Sequence, residues 1–423
     1  MYHARESLPS VILLHPNDGC LTLARMLVRR GVQVHALATP HYGYVLAGRG
    51  IQGRVMPDIR RHSDAWLEEL GTLGAAGGGV VLCGSDAATE WVTQNRAVLA
   101  PSLRSFESAD GVHVGLMDKL SLYETARQVG VRVPWMHHVS TRGDLDHVLD
   151  AITYPCVLKP RLGHLAKQQV GFGTLIVESR AQLVEPASRL LDHGIDLLLT
   201  EVVPGPETGL EGAVAVRDRD GNYTLEYGRH KVRQWPPNTG VGSLLESAEV
   251  PETLAMNRRL LDHAGYHGIA ACETKRHERT GELYLIEINV RIPASFGLAD
   301  ACDTDGSWRL YATLAGIPLP PQGAQTDGRK VMLLQKDLRA AWQRVRRHDA
   351  SPADVVRSWR GVRDLGVLDP RDLMPAVAMA ADLLRARRGA GRSKGSQDSS
   401  TPAVPRSDRR LRDAPPRGDR LRR

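Results

Sequence analysis

Hydrophobic positions recur along this chain with two periods, and their alternation lays out the fold before any motif is considered. Val11–Leu14 is an unbroken apolar run, followed by the turn His15-Pro16-Asn17-Asp18-Gly19 and by apolar positions at Leu21, Leu23, Ala24, Leu27 and Val28. The run is the pattern of a strand buried on both faces, and the spaced set is that of a helix covering one stripe. Gly31 ends the helix and residues 32–38 form a second strand, giving a βαβ-like opening. Gly79–Cys83 repeats the buried-strand pattern and runs into Gly84-Ser85-Asp86. Polar groups at such a strand end line a ligand crevice or cap the next helix. For Asp86 the preferred role is N-cap of a helix over 87–94.

Further on, the pattern predicts a helix from Met117-Asp118-Lys119 to Gly130, and strands over 154–160 and 195–203. Residues 225–243 read as a long strand with Tyr227, Arg229, Lys231, Arg233 and Trp235 on one face. Three cations on one face are either a solvated sheet edge or a holder for an anion. The neighbouring Trp235 and turn glycines favour the anion for Lys231 and Arg233, while Arg229 carries no assignment. A helix over 256–265 leads into a hairpin built from 268–275 and 282–291. Another helix covers 308–315, and residues 329–388 look mainly helical.

Composition narrows the class. A chain of 423 residues with 42% hydrophobic and 24% charged residues supports two or three domains with sizeable cores. No apolar run reaches the roughly 18 residues that span a bilayer, and the first residues lack the apolar core of a signal peptide. Cys20, Cys83, Cys156, Cys272 and Cys302 are scattered, with no CxxC pair, and fit reduced thiols. These features predict a cytoplasmic protein without a membrane partner. The net charge of +7 suggests nucleic acid at first, but +6 of it lies beyond Ala390 in a Ser/Pro/Gly/Arg tail expected to be disordered. The body is close to neutral, which argues against a nucleic-acid partner. GxGxxG is absent after the first strand, which argues against a dinucleotide site.

The chemistry concentrates in Cys272-Glu273-Thr274-Lys275 and Glu287-Ile288-Asn289-Val290-Arg291. On a strand, Glu287, Asn289 and Arg291 share a face, and pairing through a Thr280-Gly281 loop brings Glu273 opposite or diagonal to Glu287. The plain alternative is a strand whose charged face meets water. Two carboxylates and an amide oxygen, with no sulfur or imidazole, form a hard-oxygen site suited to magnesium, with manganese as a substitute. Arg291 extends the row and is placed to grip a developing anion.

The order of four motifs resembles the ATP-grasp superfamily: Asp118-Lys119 before a helix, Tyr154-Pro155-Cys156-Val157-Leu158-Lys159-Pro160, Glu201-Val202-Val203-Pro204-Gly205-Pro206-Glu207, and Glu273 with Glu287-Ile288-Asn289-Val290-Arg291. Val290 stands where the last motif commonly has proline. The resemblance covers roughly residues 8–320 and is strongest to the carboxylate–amine ligases, D-aspartate-ligase-like enzymes among them. It implies an α/β protein, α+β in its catalytic lobes, in which an ATP-grasp fold follows a small Rossmann-like domain. The implied boundaries are 1–115 for that first domain and 116–320 for the ATP-grasp domain, with lobes meeting near residue 200. A helical appendage over 321–389 and a basic tail over 390–423 complete the chain.

Residue by residue, the resemblance implies that Lys119 and Lys159 contact the nucleotide phosphates. It makes Gly171 and Gly173 part of a loop over the triphosphate, with ordinary hairpin turns as the alternative. Val202 and Val203 would hold adenine through their backbone, Glu201 its amino group and Glu207 the ribose hydroxyls. Glu273, Glu287 and Asn289 would hold magnesium, with Arg291, Lys231 and Arg233 in catalytic roles. The implied activity is ATP-dependent joining of a small carboxylate to an amine through an acyl phosphate. The alternatives are a non-catalytic ATP-binding regulator and an ATP-grasp carboxylase. The oligomeric state stays open, a homodimer among the options.

Overall fold

The computed structural model describes residues 8–106, 108–161, 170, 174–237 and 240–393. Strands β1 (Val11–Leu14), β2 (Val34–Ala38), β3 (Ile51–Val55), β4 (Gly79–Cys83) and β5 (Leu103–Arg104) form a parallel sheet in the order β3-β2-β1-β4-β5. All four residues of β1 are fully buried. Val11 and Leu13 pack on the helix Asp18–Arg29, and Ile12 and Leu14 pack on the opposite side with Trp66, Leu70 and Trp91 of the helices Ser63–Ala75 and Asp86–Asn95. An apolar run without alternation is what two covered faces require. The chain leaves β1 towards one edge of the sheet and β4 towards the other. The crevice beyond the C-terminal ends of β1 and β4 is therefore the switch point where α/β sheets bind ligands.

A second, antiparallel sheet contains β6 (Met136–Val139), β7 (Cys156–Pro160), β8 (Leu175–Val177) and β9 (Leu197–Glu201), in the order β6-β9-β7-β8. The helices Arg142–Val148 and Arg180–Asp192 back it through Leu145, Leu183, Ala187 and Leu190.

The third sheet has seven strands: β10 (Leu210–Arg217), β11 (Tyr223–Trp235), β12 (Val241–Ser247), β13 (Gly268–Arg276), β14 (Leu283–Asn289), β15 (Lys330–Met332) and β16 (Val362–Asp364). Their order is β14-β13-β10-β11-β12-β15-β16, antiparallel except for the parallel β15–β16 pair. One face shares a core with the first sheet, in which Val214, Val216, Tyr227 and Ile269 join Val11 and Leu13. Residues 321–379 thus supply two strands as well as the helices Leu334–Arg346 and Pro352–Ser358. Arg25 ties this segment to the first domain, donating to Asp372 Oδ2 at 2.9 Å and to the carbonyls of Gly366 and Val367, with both charged side chains buried. Residues up to Met379 form one compact unit, and Met374–Ser393 is helical. Among the described residues no helix is long and apolar enough to cross a membrane.

Candidate active site

The β13–β14 hairpin builds the centre. Glu273 and Glu287 stand directly opposite each other in the antiparallel register, as alternation in the sequence implies. A register shift after Glu273 leaves Ile286 out of the ladder, and its carbonyl accepts from Lys119 Nζ at 3.0 Å and Tyr123 Oη at 3.2 Å. That anchors Lys119, the first residue of the helix Lys119–Gln128, with its ammonium 3.5 Å from Glu287 Oε2. Asn289 Nδ2 donates to Glu287 Oε1 at 3.1 Å, and Arg291 Nη2 donates to Asn289 Oδ1 at 3.1 Å. The same-face row predicted for Glu287, Asn289 and Arg291 is thus linked residue to residue. Burial pushes the Glu287 carboxyl up, but Lys119, Lys159, the Asn289 amide and Lys231 outweigh it and hold it down at about 2. Glu287 is a carboxylate at any working pH.

On one side of this pair lies a cleft of about 590 Å³ between the second and third sheets. It collects Lys119, Lys159, Glu201, Val202, Val203, Glu207, Glu273 and Glu287, all of them candidates from the sequence motifs. Lys159 enters from β7 and has no ion-pair partner among the described residues. Burial and the Lys119 charge push its ammonium down to about 8, against the pull of Glu287 and Glu273. Glu201 ends β9, where its carboxylate accepts from Trp135 N at 3.3 Å. Glu207 accepts from Gln234 Nε2 at 3.2 Å and lies 3.7 Å from Arg344. Thr174, Ile176 and Glu178 of the β8 region, with Lys275 and Gln234, complete the walls. Lys275 belongs to the run around Glu273 but carries no sequence assignment, and neither do the other four. Gly171 and Gly173 lie outside the described residues.

On the other side is a second chamber of about 430 Å³, and Glu273, Glu287 and Gly240 line both. Its walls come from the switch point of the first sheet (His15, Asn17, Ser85, Asp86) and from Arg229, Lys231, Asn289, Arg291, Ser295 and Lys336. Lys231 Nζ is 2.9 Å from Glu273 Oε1 and 3.3 Å from Gln234 Oε1. The helix Asp86–Asn95 is capped by Ser85, whose hydroxyl accepts from Ala88 N at 3.1 Å. Asp86, expected as the cap, is instead the first helical residue, and its carboxylate accepts from Arg291 Nε at 2.8 Å. Of the two roles open to a polar residue at this strand end, Asp86 takes the crevice, where it orients an arginine at the chamber wall.

Arg233 departs from the sequence reading. Register shifts in the β11–β12 pairing between Lys231 and Arg233, and again between Arg233 and Gln234, break the two-residue alternation. Arg233 turns away from both cavities into a buried pair with Asp337, Nε and Nη2 each 2.7 Å from a carboxylate oxygen, and Gln234 takes the place facing the 590 Å³ cleft. Asp337 is fully buried and also accepts from Ser243 Oγ at 2.9 Å and Trp359 Nε1 at 2.8 Å. Arg233 is a structural cation.

The donor set fits an oxygen-liganded divalent ion. Among the described residues no three Asp, Glu, His or Cys side chains converge, so two carboxylates and an amide would leave coordination positions for phosphate oxygens, as magnesium prefers.

No protein-family model and no curated protein sequence matches the chain. Solved structures do. The N5-carboxyaminoimidazole synthetase of Staphylococcus aureus superposes with a TM-score of 0.62 at 15% identity, covering 80% of this chain and 86% of that one. The L-amino acid ligase of Bacillus licheniformis gives 0.57 at 16%, covering 74% and 75%. The biotin carboxylase domain of Hydrogenobacter thermophilus 2-oxoglutarate carboxylase, solved with MgADP, ADP and bicarbonate, gives 0.59 at 15%, covering 76% and 73%. These superpositions extend over most of each chain, and the chain has the ATP-grasp fold.

Proposed function

We propose that the protein is an ATP- and magnesium-dependent ligase that joins a carboxylate to an amine and releases ADP and phosphate. The carrying observation is that Glu273 and Glu287 form the shared wall of two cavities, one with nucleotide-binding chemistry and one rich in cations. The similarity to an L-amino acid ligase and to a carboxylase crystallised with MgADP and bicarbonate supports this reading.

The backbone at Val202 and Val203 would hold adenine, Glu207 would accept from ribose hydroxyls, and Lys119 and Lys159 would neutralise phosphate charge. A magnesium ion held by Glu273, Glu287 and Asn289 would draw charge from the phosphate oxygens. In the second chamber a substrate carboxylate oxygen attacks the γ-phosphorus, and the bond from that phosphorus to ADP breaks as the acyl phosphate forms. The amine then attacks the acyl carbon, loses a proton and expels phosphate, with Arg291 next to the oxyanion of the tetrahedral intermediate. Asp86 keeps that guanidinium on the chamber side.

The test is magnesium-dependent ADP release from the purified chain across a matrix of amino acids, small carboxylates and bicarbonate against amines. Release that needs one carboxylate and one amine is the expected result. ATP binding with no acid-dependent release anywhere in the matrix would point to a regulator instead.

Lys159 supplies a second test. A lysine loses its charge as pH rises through its pKa, so the free site holds this cation below about pH 8 and loses it above. Phosphates would raise that pKa, and ATP binding should therefore take up protons. ATP affinity is expected to fall about five- to tenfold between pH 7 and pH 9. Calorimetry in buffers of different ionisation enthalpy checks both effects. Lys159→Arg should flatten the profile, and a profile unchanged in the variant would remove Lys159 from the phosphates.

A further inference from the structure

We infer that the second chamber selects a carboxylate substrate carrying a second oxyanion, and that Arg229 is the residue that reads it. This rests on the ligase reading and adds the class of substrate. Four cations line the chamber, Arg229, Lys231, Arg291 and Lys336, against three carboxylates, Asp86, Glu273 and Glu287, the last of which pairs with Lys119 from the other cavity. Lys231 is paired with Glu273 and Arg291 with Asp86. Arg229 and Lys336 have no carboxylate within ion-pair distance among the described residues.

Arg229 is the more telling of the two. It is only 8% exposed, so its charge has been taken out of water, and its described side-chain partner is the neutral Ser295 hydroxyl, which accepts from Nη1 at 2.6 Å. Burying a guanidinium without an anion is costly, and a bound oxyanion would offset that cost. The sheet also makes room for this side chain. Gly212 is the register partner of Arg229, and a Cβ there would come within 2.8 Å of Arg229 Nε and 3.2 Å of its Cγ. The arginine therefore lies over the bare backbone of β10, on the path towards Glu273, which is Gly212's partner on the other side. Two strand spacings, about 10 Å, separate Arg229 from Glu273 at the backbone. Arg229's long side chain shortens that gap to a few bonds of substrate. Lys336 adds a second charge from the helix Leu334–Arg346. A planar fork and an ammonium lining one chamber suit a carboxylate or a phosphate monoester.

The experiment uses the full chain with magnesium and a non-hydrolysable ATP analogue, and measures binding of three acid–neutral pairs by calorimetry. These are aspartate against asparagine, glutamate against glutamine, and O-phosphoserine against serine. The expected result is that at least one acid binds about 100-fold more tightly than its neutral partner. The pair showing the gap tells a carboxylate from a phosphate. Arg229→Met should erase the gap. Gly212→Ala, which keeps the charge but displaces the side chain, should shrink it. The inference is overturned if neutral partners bind as well as acids, if the gap survives Arg229→Met, or if none of the six binds. Parallel ADP-release assays with amines separate the two readings. Turnover of neutral carboxylates with no acid preference keeps the ligase and removes the oxyanion site. Acid-selective binding that depends on Arg229, with no ADP release, keeps the oxyanion site and removes the ligase.

Discussion

Glu287→Gln is expected to lower magnesium-dependent ADP release by on the order of 10³-fold while the protein stays folded. The substitution keeps the shape and an oxygen but removes the charge on which a divalent ion depends. Its effect on the fold should be small, because the Glu287 side chain is 39% exposed and its ion-pair partner Lys119 also donates to the Ile286 carbonyl. The effect on nucleotide binding has the opposite sign. Glu287 offsets Lys119, Lys159 and Lys231 in the free protein, so losing it leaves those cations less balanced. Metal-free ATP should then bind at least as tightly as before, while turnover collapses. Calorimetry without magnesium, with ADP-release assays in its presence, would show the split. A variant retaining a tenth of the activity would mean that Glu287 is not a metal ligand.

Asp337→Ala is expected to cost about 3–5 kcal/mol of stability, the range for breaking a buried charge pair from one side. Asp337 is fully buried and accepts two bonds from Arg233 and one each from Ser243 and Trp359. Removing it strands a guanidinium that is 3% exposed and leaves a hydroxyl and an indole N–H without their acceptor. Replacing both charges, with Arg233→Met and Asp337→Leu together, should recover much of the loss, since no uncompensated ion remains. Denaturant titration measures the first effect, and a loss below about 1 kcal/mol would contradict it. Activity per folded molecule of the double variant measures the second point, because a structural Arg233 predicts near-normal turnover.

Periodicity was enough to locate β1, β4 and the β13–β14 hairpin, because each is long or apolar enough for one pattern to dominate. Side-chain direction on β14 followed from the same alternation, and so did the Glu273–Glu287 pairing. Arg233 was misplaced because bulges are set by how two strands fit, and the sequence of one strand does not record them. Ser85 and Asp86 are both good caps, and only the turn geometry decides between them. Asp337 lies in a segment whose helical pattern hid its role, and its partner is 104 residues away in sequence. Arg229 stands out as a cation, but its meaning depends on having no ion-paired acid among the described residues, which only the fold reveals. The short strands β15 and β16, three residues each, are below the length at which alternation carries information.

Glu287, Glu273, Gly212, Arg229 and Ser247 occupy one straight row across β14, β13, β10, β11 and β12. Such a row is a ruler whose marks are fixed by backbone hydrogen bonding at about 4.8 Å per strand. Where an enzyme measures its substrate with loops, length preference can drift by small degrees. Here the reading residue can move only by a whole strand or by exchanging one side chain for a shorter or longer one. Relatives of this chain that accept longer or shorter substrates should therefore fall into discrete size classes, each marked by which position in the row carries the cation and which carries the glycine.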